Sequence, residues 1–88
     1  GWPSSFWEFH RVIDELAEPT GDAARNASTP LFDVVVPSLP GFGYSEAPAR
    51  GDVGPYEAAA MLHELMVDRL HYKAYYVHGG DIGAYVAQ

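Results

Sequence analysis

The chain contains no cysteine among its 88 residues. This excludes a disulfide framework and a thiolate metal site within it, and it fits a reducing compartment. Positive charge is also scarce. Five Lys and Arg stand against twelve Asp and Glu, for a formal net charge of −7. That balance lacks the basic footprint of a nucleic-acid-binding surface, and it is common in ordinary soluble proteins. No run of about 18 apolar residues occurs, so no transmembrane helix is expected within these residues. His63-Glu64 begins like a zinc-binding helix, but Val67 stands where the second His would be needed. Gly41-Phe42-Gly43 lacks the third Gly and the Lys-Ser/Thr pair of a phosphate loop. No metal and no cofactor are expected. Internal repeats and low-complexity segments are missing too. The chain opens at Gly1 without an initiator Met and ends at Gln88 inside an apparent helix. It therefore reads as an internal piece of a longer protein. A cytoplasmic setting is the expectation, with an upstream membrane anchor left open.

What is present is an alternation of helical and apolar β-branched segments. Ser5 and Glu8 have capping-box spacing, and Phe6, Phe9, Ile13, Leu16 and Ala17 recur at helical spacing, which predicts a helix over 5–18 ended by Pro19. Residues 19–30 are a polar loop rich in breakers; Asn26-Ala27-Ser28 within it matches a glycosylation acceptor by chance. Phe32–Val36 reads as a buried parallel strand, because Val34, Val35 and Val36 adjoin rather than alternate. The loop Pro37-Ser38-Leu39-Pro40-Gly41-Phe42-Gly43-Tyr44-Ser45 follows. Pro55 suits the first turn of a helix running from Tyr56 to Leu70, with Ala59, Leu62, Leu65, Met66 and Leu70 on its buried face. Residues 74–78 form a second strand, and a third helix begins after it. The order helix-strand-helix-strand-helix defines an α/β protein with two right-handed crossovers on a parallel sheet. In such sheets function collects beyond the carboxyl ends of the strands, where the Pro/Gly loop and residues 79–83 both lie.

Residues 79–83, Gly79-Gly80-Asp81-Ile82-Gly83, carry the chemistry. They join an apolar run to the small-residue helix Ala84-Tyr85-Val86-Ala87. Gly two positions before and after a central reactive residue is the pattern of a nucleophile elbow, with Asp in place of Ser. Side chains at those two positions are expected to clash across the tight strand-to-helix turn. At a helix amino end the Asp81 carboxylate is favoured as an ion. An oriented carboxylate is a competent nucleophile toward saturated carbon, as in an epoxide or a carbon–halogen centre, and forms an ester that water can open. Two roles are open to Asp81 on this pattern: nucleophile, or simple N-cap.

Three blocks in this order resemble the α/β-hydrolase-fold epoxide hydrolases. Gly1-Trp2-Pro3 resembles the oxyanion loop His-Gly-x-Pro without its His, residues 37–45 resemble the loop after the next strand, and Gly79-Gly80-Asp81-Ile82-Gly83 resembles Gly-Gly-Asp-Trp-Gly. The aromatic stretch Phe6-Trp7-Glu8-Phe9 is most similar to the microsomal-type branch. The resemblance implies that residues 1–88 are an incomplete N-terminal part of the hydrolase core, with the cap domain and C-terminal core absent. It implies Asp81 as nucleophile and the backbone N–H groups of Trp2 and Ile82 as the oxyanion hole. A general-base His, its acidic partner and two cap Tyr that protonate the epoxide oxygen are implied downstream. The implied partner is a small-molecule epoxide, with no cofactor; the oligomeric state is not implied. Ile82 departs from the usual Trp, which should reshape the pocket floor. Ser4 departs from a common Gly with little expected effect. A haloalkane dehalogenase uses that Trp indole N–H to hold halide, so Ile82 weakens this alternative; a non-catalytic hydrolase-fold module is the third reading.

Among the other candidates, His78 is expected to be structural, because the base follows the nucleophile in chain order. His10, His63 and His71 read as surface or helix-end residues. The six Tyr and both Trp read as packing residues at core and rim. In isolation the 88 residues are expected to be inactive and unstable, with sheet edges and apolar faces uncovered.

Overall fold

A computed structural model describes residues 4–18, 28, 30–49, 51 and 53–88. The chain divides into two units, Phe6–Val36 and Gly1–Ser5 with Pro37–Gln88.

In the first unit the expected single helix is split. Phe6–Phe9 is a 3₁₀ turn, and α1 covers Ile13–Ala17. The cause is local competition for carbonyls. The Trp7 carbonyl accepts from the His10 backbone N–H at 3.1 Å and from its ring Nδ1 at 2.7 Å. Val12 N–H donates to Phe9 O at 2.9 Å, again three residues back. These i→i+3 bonds tighten the chain to 3₁₀ geometry before α1 begins. Phe6, Phe9, Ile13 and Ala17 are half-buried as the spacing predicted, whereas Leu16 is 45% exposed. Trp7 is not a packing residue: it is exposed and stacks on His10, with ring centroids 4.5 Å apart and planes 6° from parallel. Phe32 N–H returns to Leu16 O at 3.1 Å, tying the end of α1 to the run 32–36. Pro19 and Asn26-Ala27 lie outside the described residues.

In the second unit α2 covers Pro55–Glu64, with Pro55 at its start and Gly54 as an extended N-cap. Ala58 is the one buried apolar residue among those described. Ala59, Leu62, Leu65 and Met66 are half-buried, as their spacing predicted, and Leu70 is exposed. The helix does not stay α-helical to Leu70: Leu65–Arg69 is π-helical, with Leu70 N–H donating to Leu65 O at 2.9 Å. The widened turn closes at His71, whose φ of 62° is left-handed, and Tyr72 N–H reaches back to Met66 O at 2.9 Å. A left-handed residue of this kind commonly ends helices, usually as Gly. α3 covers Ile82–Val86 and packs on α2.

Neither 32–36 nor 74–78 is a strand, and no β-strand occurs among the described residues. A strand exists only through ladder bonds to a neighbour, and none of the described residues supplies one. The composition of the two runs suits a sheet interior; the pairing partner decides whether the sheet forms. Tyr44, Tyr56, Tyr76 and Tyr85 are exposed rather than packed, while Tyr72 and Tyr75 are half-buried.

Candidate active site

Asp81 stands between the run 74–80 and α3, as the N-cap residue of α3. Its backbone is at φ 53°, ψ −125°, a region that non-glycine residues rarely enter. Holding such a residue there costs about 1–3 kcal/mol, and strain of this kind clusters at functional sites. An ordinary capping residue takes extended backbone and accepts from the N2 or N3 amide through its side chain. Asp81 does neither: its dihedrals are not extended, and its side chain makes no cap hydrogen bond. The helix instead starts from the backbone, with Ala84 N–H donating to Asp81 O at 3.1 Å. Asp81 is exposed.

The tightness of the turn shows at Gly79. A Cβ there would stand 2.1 Å from Gly83 O, 2.5 Å from Gly83 C and 3.1 Å from Ala84 N. All three are backbone atoms that no rotamer change can move, so Gly79 is sterically required. The symmetrical expectation fails at the other side. A Cβ on Gly83 would meet nothing within 4 Å, and the same holds for Gly80. The turn is crowded on one side because the backbone of Gly83 passes over Gly79, while Gly83 itself faces open space. Ile82 is 37% exposed at the first position of α3. Trp2, the other expected oxyanion donor, lies outside the described residues, as do Gly1 and Pro3.

The loop at residues 37–46 is closed on itself. Ser45 Oγ donates to Ser38 O at 2.7 Å, Gly41 N–H to Glu46 O at 3.1 Å, and Phe42 N–H to Leu39 O at 2.9 Å. Gly41 and Gly43 take positive φ, 83° and 52°. A Cβ on Gly43 would stand 2.7 Å from Ser38 Oγ and 3.2 Å from Ser5 Cβ, so this loop lies against Ser5. Between the loop and α2 is an apolar groove of about 340 Å³, lined by Pro37, Pro40, Met61, Leu62 and Leu65 with Ser38, Ser45 and Glu46 at its rim. Asp81 does not line it.

His78 is exposed three residues before Asp81. His63 and Tyr75, which sequence reasoning treated separately, are joined: His63 Nδ1 and Tyr75 OH are 2.5 Å apart. They lie twelve positions apart, on α2 and on the run before the elbow, so no spacing rule pairs them. No group of three or more His, Cys, Asp or Glu among the described residues is placed to hold a metal ion. No helix among them is long and apolar enough to cross a membrane.

A strained residue in a glycine-flanked turn into a helix matches the nucleophile-elbow pattern, with Asp in place of Ser. The chain belongs to the alpha/beta hydrolase fold family, whose model matches residues 1–88. Within that class it is similar to proteins named as epoxide hydrolases. It is 42% identical over 84 residues to juvenile hormone epoxide hydrolase 2 of Ctenocephalides felis, covering 96% of this chain and 17% of that protein. It is 42% identical over 86 residues to juvenile hormone epoxide hydrolase of Bombyx mori, covering 98% of this chain and 17% of that protein. It is 36% identical over 86 residues to epoxide hydrolase 1 of Oryctolagus cuniculus, covering 98% of this chain and 18% of that protein. The chain thus spans less than a fifth of the length of these curated relatives. No solved structure matches it.

Proposed function

We propose that the protein carrying this chain is an epoxide hydrolase, and that Asp81 is its nucleophile. The observation that carries this reading is the backbone of Asp81, strained at φ 53° in a turn that tolerates no side chain at Gly79. Asp81 is exposed there and is not used as a side-chain cap. A fold that maintains such strain on a carboxylate holds it ready for attack rather than for helix capping.

One carboxylate oxygen of Asp81 attacks an epoxide carbon. The carbon–oxygen bond of the ring breaks, and the ring oxygen takes a proton from an acid on the cap. The alkyl ester that results is opened when water, deprotonated by a distal His, attacks the Asp81 carbonyl carbon. The backbone N–H groups of Ile82 and Trp2 stabilise the oxyanion of that step, a contribution of about 10²–10³ in rate for each donor. Asp81 and the vicinal diol are then released. The His, its acidic partner and the cap Tyr belong to sequence beyond this chain. Residues 1–88 supply the N-terminal part of the hydrolase core, in which 32–36 and 74–78 become parallel strands once neighbouring strands offer ladder partners. The microsomal-type branch and a cytoplasmic active domain are part of the same reading.

Diol formation from a small aryl epoxide by the full-length protein, beside Asp81→Ala, tests it. Diol from the parent and none from the variant supports the assignment. Halide release from a haloalkane without diol formation would transfer the reading to a dehalogenase. Neither activity in a folded parent would leave a non-catalytic module.

A further inference from the structure

We propose that His63 and Tyr75 are positioning residues for the elbow. The inference rests on Asp81 being the reacting group, and it assigns to a side-chain pair the task of holding the run that presents it. Tyr75 lies six residues before Asp81 in the run 74–80, which has no ladder partner among the described residues. Its hydroxyl is 2.5 Å from His63 Nδ1, and the rings are 6.0 Å apart at 46°. His63 is in the last turn of α2. At the far end of the same run the Gly83 backbone lies over Gly79 and leaves no room for a side chain there. α2 and α3 pack on each other. The run is therefore tied to α2 at Tyr75 and passes close under α3 at Gly79, with the two helices in mutual contact. Asp81 lies between Gly79 and α3. Releasing that tie at Tyr75 loosens the run before Gly79 and changes the aim of a strained residue whose geometry has little tolerance.

His63 Nδ1 accepts from the Tyr75 hydroxyl where it carries no proton and donates to the hydroxyl oxygen where it does. Neither residue touches substrate in this reading.

The test uses the full-length protein with Tyr75→Phe, His63→Leu, His63→Gln and the double variant Tyr75→Phe/His63→Leu. Turnover of an aryl epoxide, melting temperature and amide hydrogen exchange across 79–83 are measured for each, with Asp81→Asn beside them. The expected result is a roughly threefold to tenfold fall in kcat for Tyr75→Phe and for His63→Leu with KM little changed. The double variant should fall no further than the worse single, and His63→Gln, which can still bond the Tyr75 hydroxyl, should recover most of the loss. Amide exchange at 79–83 should quicken in the same variants. Losses that multiply, or kcat and exchange both unchanged in folded variants, would overturn the proposal. Exchange is read without turnover. A parent that forms no diol but whose 79–83 amides quicken in Tyr75→Phe would retire the epoxide hydrolase reading and leave the tether standing.

Discussion

The loop at 37–46 and the elbow at 79–83 are both glycine-containing turns after an apolar run, yet they place positive φ on opposite kinds of residue. In the loop the positive φ values fall on Gly41 and Gly43, where a left-handed backbone costs almost nothing. The loop also closes on itself through the Ser45 Oγ bond to Ser38 O. In the elbow the glycines take ordinary φ and the positive φ falls on Asp81. A chain optimised only for stability would put Gly at that point. His71 shares the positive φ but ends a helix, so the nucleophile role proposed for Asp81 turns on its strain together with its place in the glycine-rich turn.

The strongest break of this comparison is at Asp81 itself. Asp81→Asn keeps size and backbone but removes the attacking charge, and diol formation should fall by about 10⁴ or more, as when a nucleophile is deleted. Asp81→Gly should be equally inactive while melting higher, with about 1 kcal/mol recovered from the strain. A lower melting temperature for Asp81→Gly would show that the backbone there is not strained. The next effect in size separates the two elbow glycines. Gly79→Ala drives a Cβ into the Gly83 backbone and should cost about 3 kcal/mol or more, read as a lower melting temperature with activity lost. Gly83→Ala should melt at or above the parent, because its Cβ enters open space and Ala suits a helix better by about 1 kcal/mol. Equal damage from the two would show that the turn is symmetrical after all. In the loop, Gly43→Ala meets Ser38 and a positive φ together, and should cost about 1–3 kcal/mol in stability while kcat stays within twofold or so. The smallest effect is Ser45→Ala, which leaves Ser38 O without its hydroxyl donor and should cost about 0.5–1.5 kcal/mol by thermal denaturation. A large loss of kcat in either loop variant would mean that the loop shares in the chemistry.

The turn at 79–83 was legible because a tight turn leaves a compositional trace. Gly-Gly-Asp-Ile-Gly announces a tight turn centred on Asp81, and the structure has Asp81 at a positive φ in that turn. The helix after Pro55 was legible for a similar local reason, since Pro fixes φ at the first turn and apolar spacing marks the inner face. The asymmetry of the elbow was not legible. Two glycines at mirror positions look equivalent in sequence, and only the path of the backbone shows that one has no room for a side chain and the other has open space for one. The split at His10 was missed because a His ring competing for a carbonyl leaves no periodic signal.

The sequence by itself determined where the chain turns, which residue takes the strained position, and which family the chain joins, because these depend on side-chain volume, backbone freedom and a short linear pattern. Tertiary structure decided the rest. Phe32–Val36 and residues 74–78 have the composition of strands, but a strand is a property of two segments, and its hydrogen bonds come from a neighbour that no local pattern contains. The His63–Tyr75 bond has the same character. Twelve positions separate its ends, and only the packing of α2 beside the run that leads to Asp81 brings a ring nitrogen to a hydroxyl.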